Sequence, residues 1–163
     1  MTLTRFFRDF GLYTAWLVAI IAMAGSLYFS EVRAFVPCNL CWYQRVLMYP
    51  LVILLGIASY RQDRAVIPYA LPFTIIGGGV AMFHYMEQKI PGFGAPELCR
   101  VGVPCNVAYI NWLGFITIPF LALTAFVLIT TILAGVLFTS RQPRKGYTPG
   151  REEALDSSQS VAQ

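Results

Sequence analysis

Four long apolar stretches, over 11–29, 46–60, 65–86 and 110–138, constrain this chain more than any other feature. At about 1.5 Å of rise per residue a membrane crossing needs roughly 20 residues, with 17–25 typical. The second stretch is short by itself, so its helix is extended back to Cys41 through the interfacial aromatics Trp42 and Tyr43. In 163 residues that are 57% hydrophobic and only 12% charged, with a mean hydropathy of +0.61, one soluble core cannot enclose so much apolar side chain. The excess must face lipid. The expected fold is an all-α membrane protein, a four-transmembrane-helix bundle spanning 11–29, 41–60, 65–86 and 110–138 within a domain over 1–139.

The net charge of +4 could suggest a nucleic-acid partner, but the basic residues lie between and beyond the apolar stretches rather than in a stripe. Their pattern bears on topology instead. If the chain weaves four times, Arg5, Arg8, Arg61, Arg64, Arg141, Arg144, Lys145 and Arg151 share one side, and Arg33, Arg45, Lys89 and Arg100 the other. Eight against four places both termini in the cytoplasm and the loops at about 30–40 and 87–109 outside it, in a multi-pass cell-membrane protein. Arg5 and Arg8 before a run containing Ala22-Met23-Ala24 also resemble a signal peptide. That run continues through Phe29 into a second span, which suits a retained helix better, and cleavage would not change the side of any cysteine.

Breakers agree with these spans. Arg61-Gln62-Asp63-Arg64 forms a polar turn, and Pro91-Gly92-Phe93-Gly94-Ala95-Pro96 keeps the longer loop from being one helix. Pro50, Pro68, Pro72 and Pro119 are read as kinks, which membrane helices tolerate when neighbours satisfy the freed carbonyls. Gly77-Gly78-Gly79 is read as close helix packing rather than a ligand cleft. Over 140–163 the composition turns to Ser, Arg, Pro, Gly, Glu and Gln, too polar to offset chain entropy by burial, so a disordered cytoplasmic tail is expected.

All four cysteines, Cys38, Cys41, Cys99 and Cys105, fall in the two outward loops. Disulfides persist on that side of a membrane. Cys38-Asn39-Leu40-Cys41 has the spacing of a redox-active dithiol, in which a tight ring and a helix start lower one thiol's pKa. A purely structural staple over loops this short would add only about 2 kcal/mol in the chain-entropy model. A zinc site is disfavoured because five residues separate Cys99 from Cys105 and no second C-x-x-C exists. A soluble thioredoxin domain would need a βαβ pattern that the chain lacks.

Arg45 lies four residues after Cys41, hence on the same helix face one turn further in, where a cation and the helix N-terminus favour a Cys41 thiolate. Its alternative is a snorkelling interfacial arginine. His84, the only histidine, comes at a comparable depth near the end of the third span. It could hydrogen-bond a quinone carbonyl, relay a proton, or serve only as an interfacial polar group.

Phe35-Val36-Pro37-Cys38-Asn39-Leu40-Cys41-Trp42-Tyr43-Gln44-Arg45 closely resembles the DsbB family of membrane disulfide-forming thiol:quinone oxidoreductases, particularly its BdbC branch from Gram-positive bacteria. The likeness runs from about residue 12 to 138 and includes Ser26-Leu27-Tyr28-Phe29-Ser30-Glu31, His84-Tyr85-Met86-Glu87-Gln88-Lys89, Gly102-Val103-Pro104-Cys105 and Tyr109-Ile110-Asn111-Trp112-Leu113-Gly114-Phe115-Ile116-Thr117-Ile118-Pro119-Phe120. The resemblance implies a protein-dithiol:quinone oxidoreductase that serves disulfide bond formation. A thioredoxin-like thiol:disulfide oxidase of DsbA/BdbD type would deliver two electrons to Cys99 and Cys105. They would pass to Cys38 and Cys41, and from Cys41, beside Arg45, to a membrane quinone, menaquinone by the Gram-positive likeness. About 30 mV is worth about 1.4 kcal/mol for a two-electron couple, so a quinone of higher potential sets the direction. Classical DsbB proteins separate the second pair by a much longer loop containing an amphipathic helix, whereas here five residues intervene.

Two other readings share some of these features. A vitamin-K-epoxide-reductase-like protein also has four helices and a helix-start C-x-x-C, but its active pair sits near the last helices. A non-catalytic membrane protein with structural disulfides would hold no quinone.

Overall fold

The computed structural model describes residues 3–90, 93 and 103–140, excepting the side chains of 3–9 and 140. Cys99, the Pro-Gly segment apart from Phe93, and the tail beyond Ser140 lie outside the described residues. Four helices account for most of the rest: α1 (Leu3–Leu27), α2 (Asn39–Arg61), α3 (Ile67–Lys89) and α4 (Ile118–Ser140). All four are long and apolar enough to cross a bilayer, and no strand occurs among the described residues. The protein is a multi-pass membrane protein.

Each helix packs against two neighbours, α1 on α2 and α4, and α3 on α2 and α4, so the helices close into a ring. The contact faces are narrow. Leu51 and Leu55 on α2, Ile67 on α3, and Phe126, Ile129 and Leu133 on α4 fill the interior with Ala15 and Ala19 of α1. Outward, Ile21, Ile53, Ile57, Ile75, Ile76 and Phe138 are exposed. Large apolar residues on both faces are what a bundle immersed in hydrocarbon requires. Without a hydrophobic drive between helices in lipid, close packing of small residues supplies the contact. Gly77 shows this directly, since a Cβ there would collide with the Phe126 ring of α4.

Local chemistry sets the helix ends. After α1 the chain widens into a π-helical turn, Tyr28–Val32, and the Ser26 carbonyl beside the switch accepts from Ser30 Oγ at 3.2 Å. At the far end of α2, Gln62 takes a left-handed conformation (φ 52°), and Asp63 caps a short 3₁₀ turn, Arg64–Val66, by accepting from the Ala65 amide at 2.9 Å. Pro68 and Pro119 stand in the first turns of α3 and α4, where a missing N–H removes no helical hydrogen bond. They start helices rather than kink them. Among the described residues, only Pro50 and Pro72 lie inside helices.

The fourth helix begins later than its apolar stretch. Residues 110–117 form a tight turn closed by Trp112 and Ile116, with positive φ at Leu113 (53°) and Gly114 (79°). Hydropathy does not distinguish such an apolar turn from a helix. Lys89, at the end of α3, fastens it by donating to Asn111 Oδ1 at 3.0 Å and to the Gly114 carbonyl at 2.6 Å.

Candidate functional site

The site forms where α2 starts. Cys38 is the N-cap, in extended conformation (φ −72°, ψ 171°), and Cys41 lies in the first turn. Three residues of helical advance bring the two sulfurs onto one face, where they stand 2.9 Å apart as free thiols. A disulfide has an S–S distance of about 2.05 Å, so closing the pair requires under about 1 Å of movement.

The two cysteines differ in environment. Cys38 is buried beside Leu40 and Cys105, with Val80 and Phe83 packed around them. Its thiol pKa is lowered to about 4, chiefly because the Cys41 thiol hydrogen-bonds to it; burial opposes this, and His84 assists. In the reduced pair the negative charge therefore favours Cys38, at the positive end of the α2 dipole. The sequence reading favoured a thiolate at Cys41 from its spacing to Arg45; the contact between the two sulfurs and the approach of His84 to Cys38 were not visible there.

Behind Cys38, His84 of α3 is only 1% exposed. Its Nε2 lies 3.1 Å from the Cys105 carbonyl and 3.7 Å from Cys38 Sγ, and its Nδ1 lies 3.0 Å from Gln44 Nε2. One helical turn on, Gln88 donates to the carbonyls of Cys105 (3.4 Å) and Val107 (3.3 Å). These contacts hold the second loop against the dithiol. Cys105, 1% exposed, is disulfide-bonded. Tyr109 secures the rest of the segment, donating to the Val36 carbonyl at 3.1 Å and stacking on Phe35 at 4.7 Å.

On the other side of the dithiol a cavity of about 450 Å³ opens between α1, α2 and α4. Cys41, Arg45 and Tyr49, successive turns of α2, line it together with Ala22 of α1 and Ala125 of α4. Ile21, Leu121 and Leu128 are also exposed on the outside of the bundle, so the cavity opens toward lipid. Arg45 donates to the Ser26 carbonyl at 2.9 Å, and its guanidinium lies 5.4 Å from the centre of the Trp42 ring. The hydroxyl of Tyr49 is buried without a hydrogen-bond partner. An apolar cleft bordered by one cation and one thiol has the character to admit a flat lipophilic compound.

Of the site residues expected from sequence, Cys38, Cys41, Arg45, His84 and Cys105 converge within the described residues, but they separate into two neighbourhoods. His84 does not line the large cavity; it faces the cysteines from behind. Depth along the chain could not show which side of α2 the third helix occupies. Gln44, Gln88 and Tyr109 were given no role from sequence. An amide three residues after Cys41, and another four after His84, both within apolar helices, were the available signal. Cys38, Cys41 and His84 also place three metal-ligating atoms within 4.8 Å of one another. The nitrogen facing the sulfurs, however, must carry a proton to meet the Cys105 carbonyl, and a metal would have to displace it.

A dithiol with one buried and one half-buried sulfur at the mouth of a four-helix membrane bundle, backed by a histidine and open to a lipid-facing cleft, defines a membrane thiol–disulfide oxidoreductase. Residues 8–136 match the family model described as "Disulfide bond formation protein DsbB". The chain is 63% identical over 118 residues to "Disulfide bond formation protein C" of Bacillus subtilis, covering 72% of this chain and 86% of the relative. It is 54% identical over 117 residues to a "Probable disulfide formation protein C" of Halalkalibacterium halodurans, covering 71% and 84%. It is 47% identical over 134 residues to a "Probable disulfide formation protein" of Coxiella burnetii, covering 82% and 91%. The chain belongs to the DsbB family of disulfide bond formation proteins, in its BdbC branch. No solved structure matches it.

Proposed function

We propose that this protein reoxidises a thioredoxin-like thiol oxidase of DsbA/BdbD type outside the cytoplasm and passes its electrons through two cysteine pairs to a membrane quinone. The carrying observation is the division around the dithiol, with Cys38 packed on Cys105 and Cys41 bordering the lipid-facing cavity with Arg45. Cys99 is the remaining cysteine and the proposed disulfide partner of Cys105. The eight-to-four basic asymmetry supports an outward cysteine end and cytoplasmic termini.

The exchanges balance in electrons and protons. A partner dithiol reduces the Cys99–Cys105 disulfide and leaves as a disulfide. The Cys105 thiolate then attacks Cys38 of a Cys38–Cys41 disulfide, releasing Cys41, and Cys99 resolves the Cys38–Cys105 bond. The outer disulfide is restored and the inner pair is left as a dithiol. Arg45, Tyr49 and the apolar walls would hold a quinone, menaquinone in the Gram-positive setting, which supplies a two-electron, two-proton acceptor. Oxidation of the inner pair resets the chain.

A reconstituted assay with a reduced thioredoxin-like oxidase and a menaquinone analogue tests this reading. Stoichiometric quinol formation is expected in wild type, and none in Cys38→Ala. Quinol formation that persists without the inner pair would end the proposal. Entry through Cys99 is tested separately with Cys105→Ala, which removes the resolving thiol. Mixed with oxidant and an oxidase retaining one reactive cysteine, it should accumulate a covalent complex through Cys99. Linkage at Cys38 or Cys41 would reverse the order of the pairs. For sidedness, reductant plus a membrane-impermeant maleimide should label cysteines in intact spheroplasts; labelling only after lysis would overturn the orientation.

A further inference from the structure

Gln44 is a charge-free, hydrogen-bonding side chain only 6% exposed, in a helix whose other buried residues are almost all apolar. A buried amide needs partners. It has one across the bundle, where its Nε2 lies 3.0 Å from Nδ1 of the equally buried His84. The opposite ring nitrogen, Nε2, lies 3.1 Å from the Cys105 carbonyl oxygen and 3.7 Å from Cys38 Sγ.

The protonation pattern follows from donor and acceptor counting. A carbonyl oxygen only accepts, so His84 Nε2 must carry hydrogen. A neutral ring then has its lone pair on Nδ1, and the Gln44 amide N–H supplies the matching donor. Every contact is satisfied at once. The other neutral tautomer would set the Nε2 lone pair against the Cys105 oxygen and a Nδ1 hydrogen against the Gln44 amide hydrogens. Rotating the amide repairs only the second conflict.

We infer that Gln44 is a positioning residue, which holds His84 as the Nε2–H tautomer and keeps that N–H between the Cys105 carbonyl and the Cys38 sulfur. Gln44 acts through the ring it contacts. The shared hydrogen can serve Cys105 at one stage and a Cys38 thiolate at another by a small swing of one imidazole. An amide suits the task better than a carboxylate, which would draw a second proton onto the ring and fix a charge beside the dithiol. The functional consequence rests on the reading that Cys38 and Cys105 exchange disulfide. The tautomer assignment does not.

Because His84 is the only histidine in the chain, ¹⁵N-histidine labelling of the full protein in lipid nanodiscs gives one imidazole to observe. The wild-type reduced protein should show a protonated Nε2 and an unprotonated, hydrogen-bonded Nδ1. Gln44→Met keeps the length and removes the donor; the Nδ1 resonance should move toward that of a free lone pair, and the titration midpoint of the Cys38 thiolate should rise. Gln44→Glu should instead give a doubly protonated ring. A wild-type spectrum with hydrogen on Nδ1 would overturn the inference. So would a folded Gln44→Met protein with both the Nδ1 resonance and the Cys38 midpoint unchanged. Neither readout uses quinone, so failure of the electron-acceptor reading would leave this test standing.

Discussion

The two sides of the C-x-x-C turn are unlike. Toward α3 the surroundings are polar and directional, with His84, Gln44, Gln88 and two loop carbonyls in hydrogen-bond contact. Toward α1 and α4 they are an apolar cavity bordered by Arg45 and Tyr49. The first side is built to hold a peptide segment in register; the second is built to admit something lipophilic. The dithiol stands between them, with Cys38 packed on Cys105 and Cys41 at the cavity.

The largest test of this division is Cys41→Ala, which removes the sulfur bordering the cavity and leaves Cys38 in its polar niche. Electron transfer should fall to background. The Cys41 thiol is also the chief cause of the lowered Cys38 pKa, so the midpoint of Cys38 alkylation against pH should rise from about 4 toward an ordinary thiol value. The sign is fixed by the direction of the shift: in wild type the thiolate persists above that midpoint and is lost as pH falls through it. A midpoint that stays near its wild-type value in Cys41→Ala would show that the His84 side alone sets it.

Arg45→Met should have a smaller effect confined to the cavity side. Loss of a fixed cation beside a site of developing negative charge lowers kcat by about a hundredfold in comparable settings. Exchange between Cys105 and the inner pair, followed by thiol trapping, should be nearly unchanged. Equal losses in both steps would mean that Arg45 acts mainly by tying α2 to the Ser26 carbonyl, and the two sides would then be mechanically one.

Sequence patterning carried the bundle and the C-x-x-C well, because hydrocarbon demands long apolar helices and redox dithiols demand close spacing. It carried the two-sidedness poorly. Arg45 is placed by its own helix, so an i, i+4 count from Cys41 puts it on the cavity side. His84 is placed by the packing of α3 on α2, and no one-dimensional spacing says that it meets Cys38 rather than a cavity ligand. The turn at 110–117 was hidden for another reason. Lys89 bonded to the Gly114 carbonyl and Trp112 paired with Ile116 hold it, so an apolar sequence can leave the helix there.

Tyr49→Phe is the smallest test and the sharpest for the cavity, since it removes one oxygen and little else. If the cavity stays without a polar ligand, that hydroxyl is a buried group with no partner, a state that costs about 1–3 kcal/mol. Its removal should then raise the thermal midpoint of the quinone-free protein slightly. If a quinone carbonyl meets it in the working enzyme, the same substitution loses a net hydrogen bond of about 0.5–1.5 kcal/mol, or about two- to tenfold in KM for quinone. The two expectations have opposite signs, higher stability and weaker substrate binding. A general packing role would move both toward loss, and a hydroxyl irrelevant to the cavity would leave KM unchanged. Measuring the melting midpoint and KM on one preparation therefore separates a ligand-seeking tyrosine from a structural one.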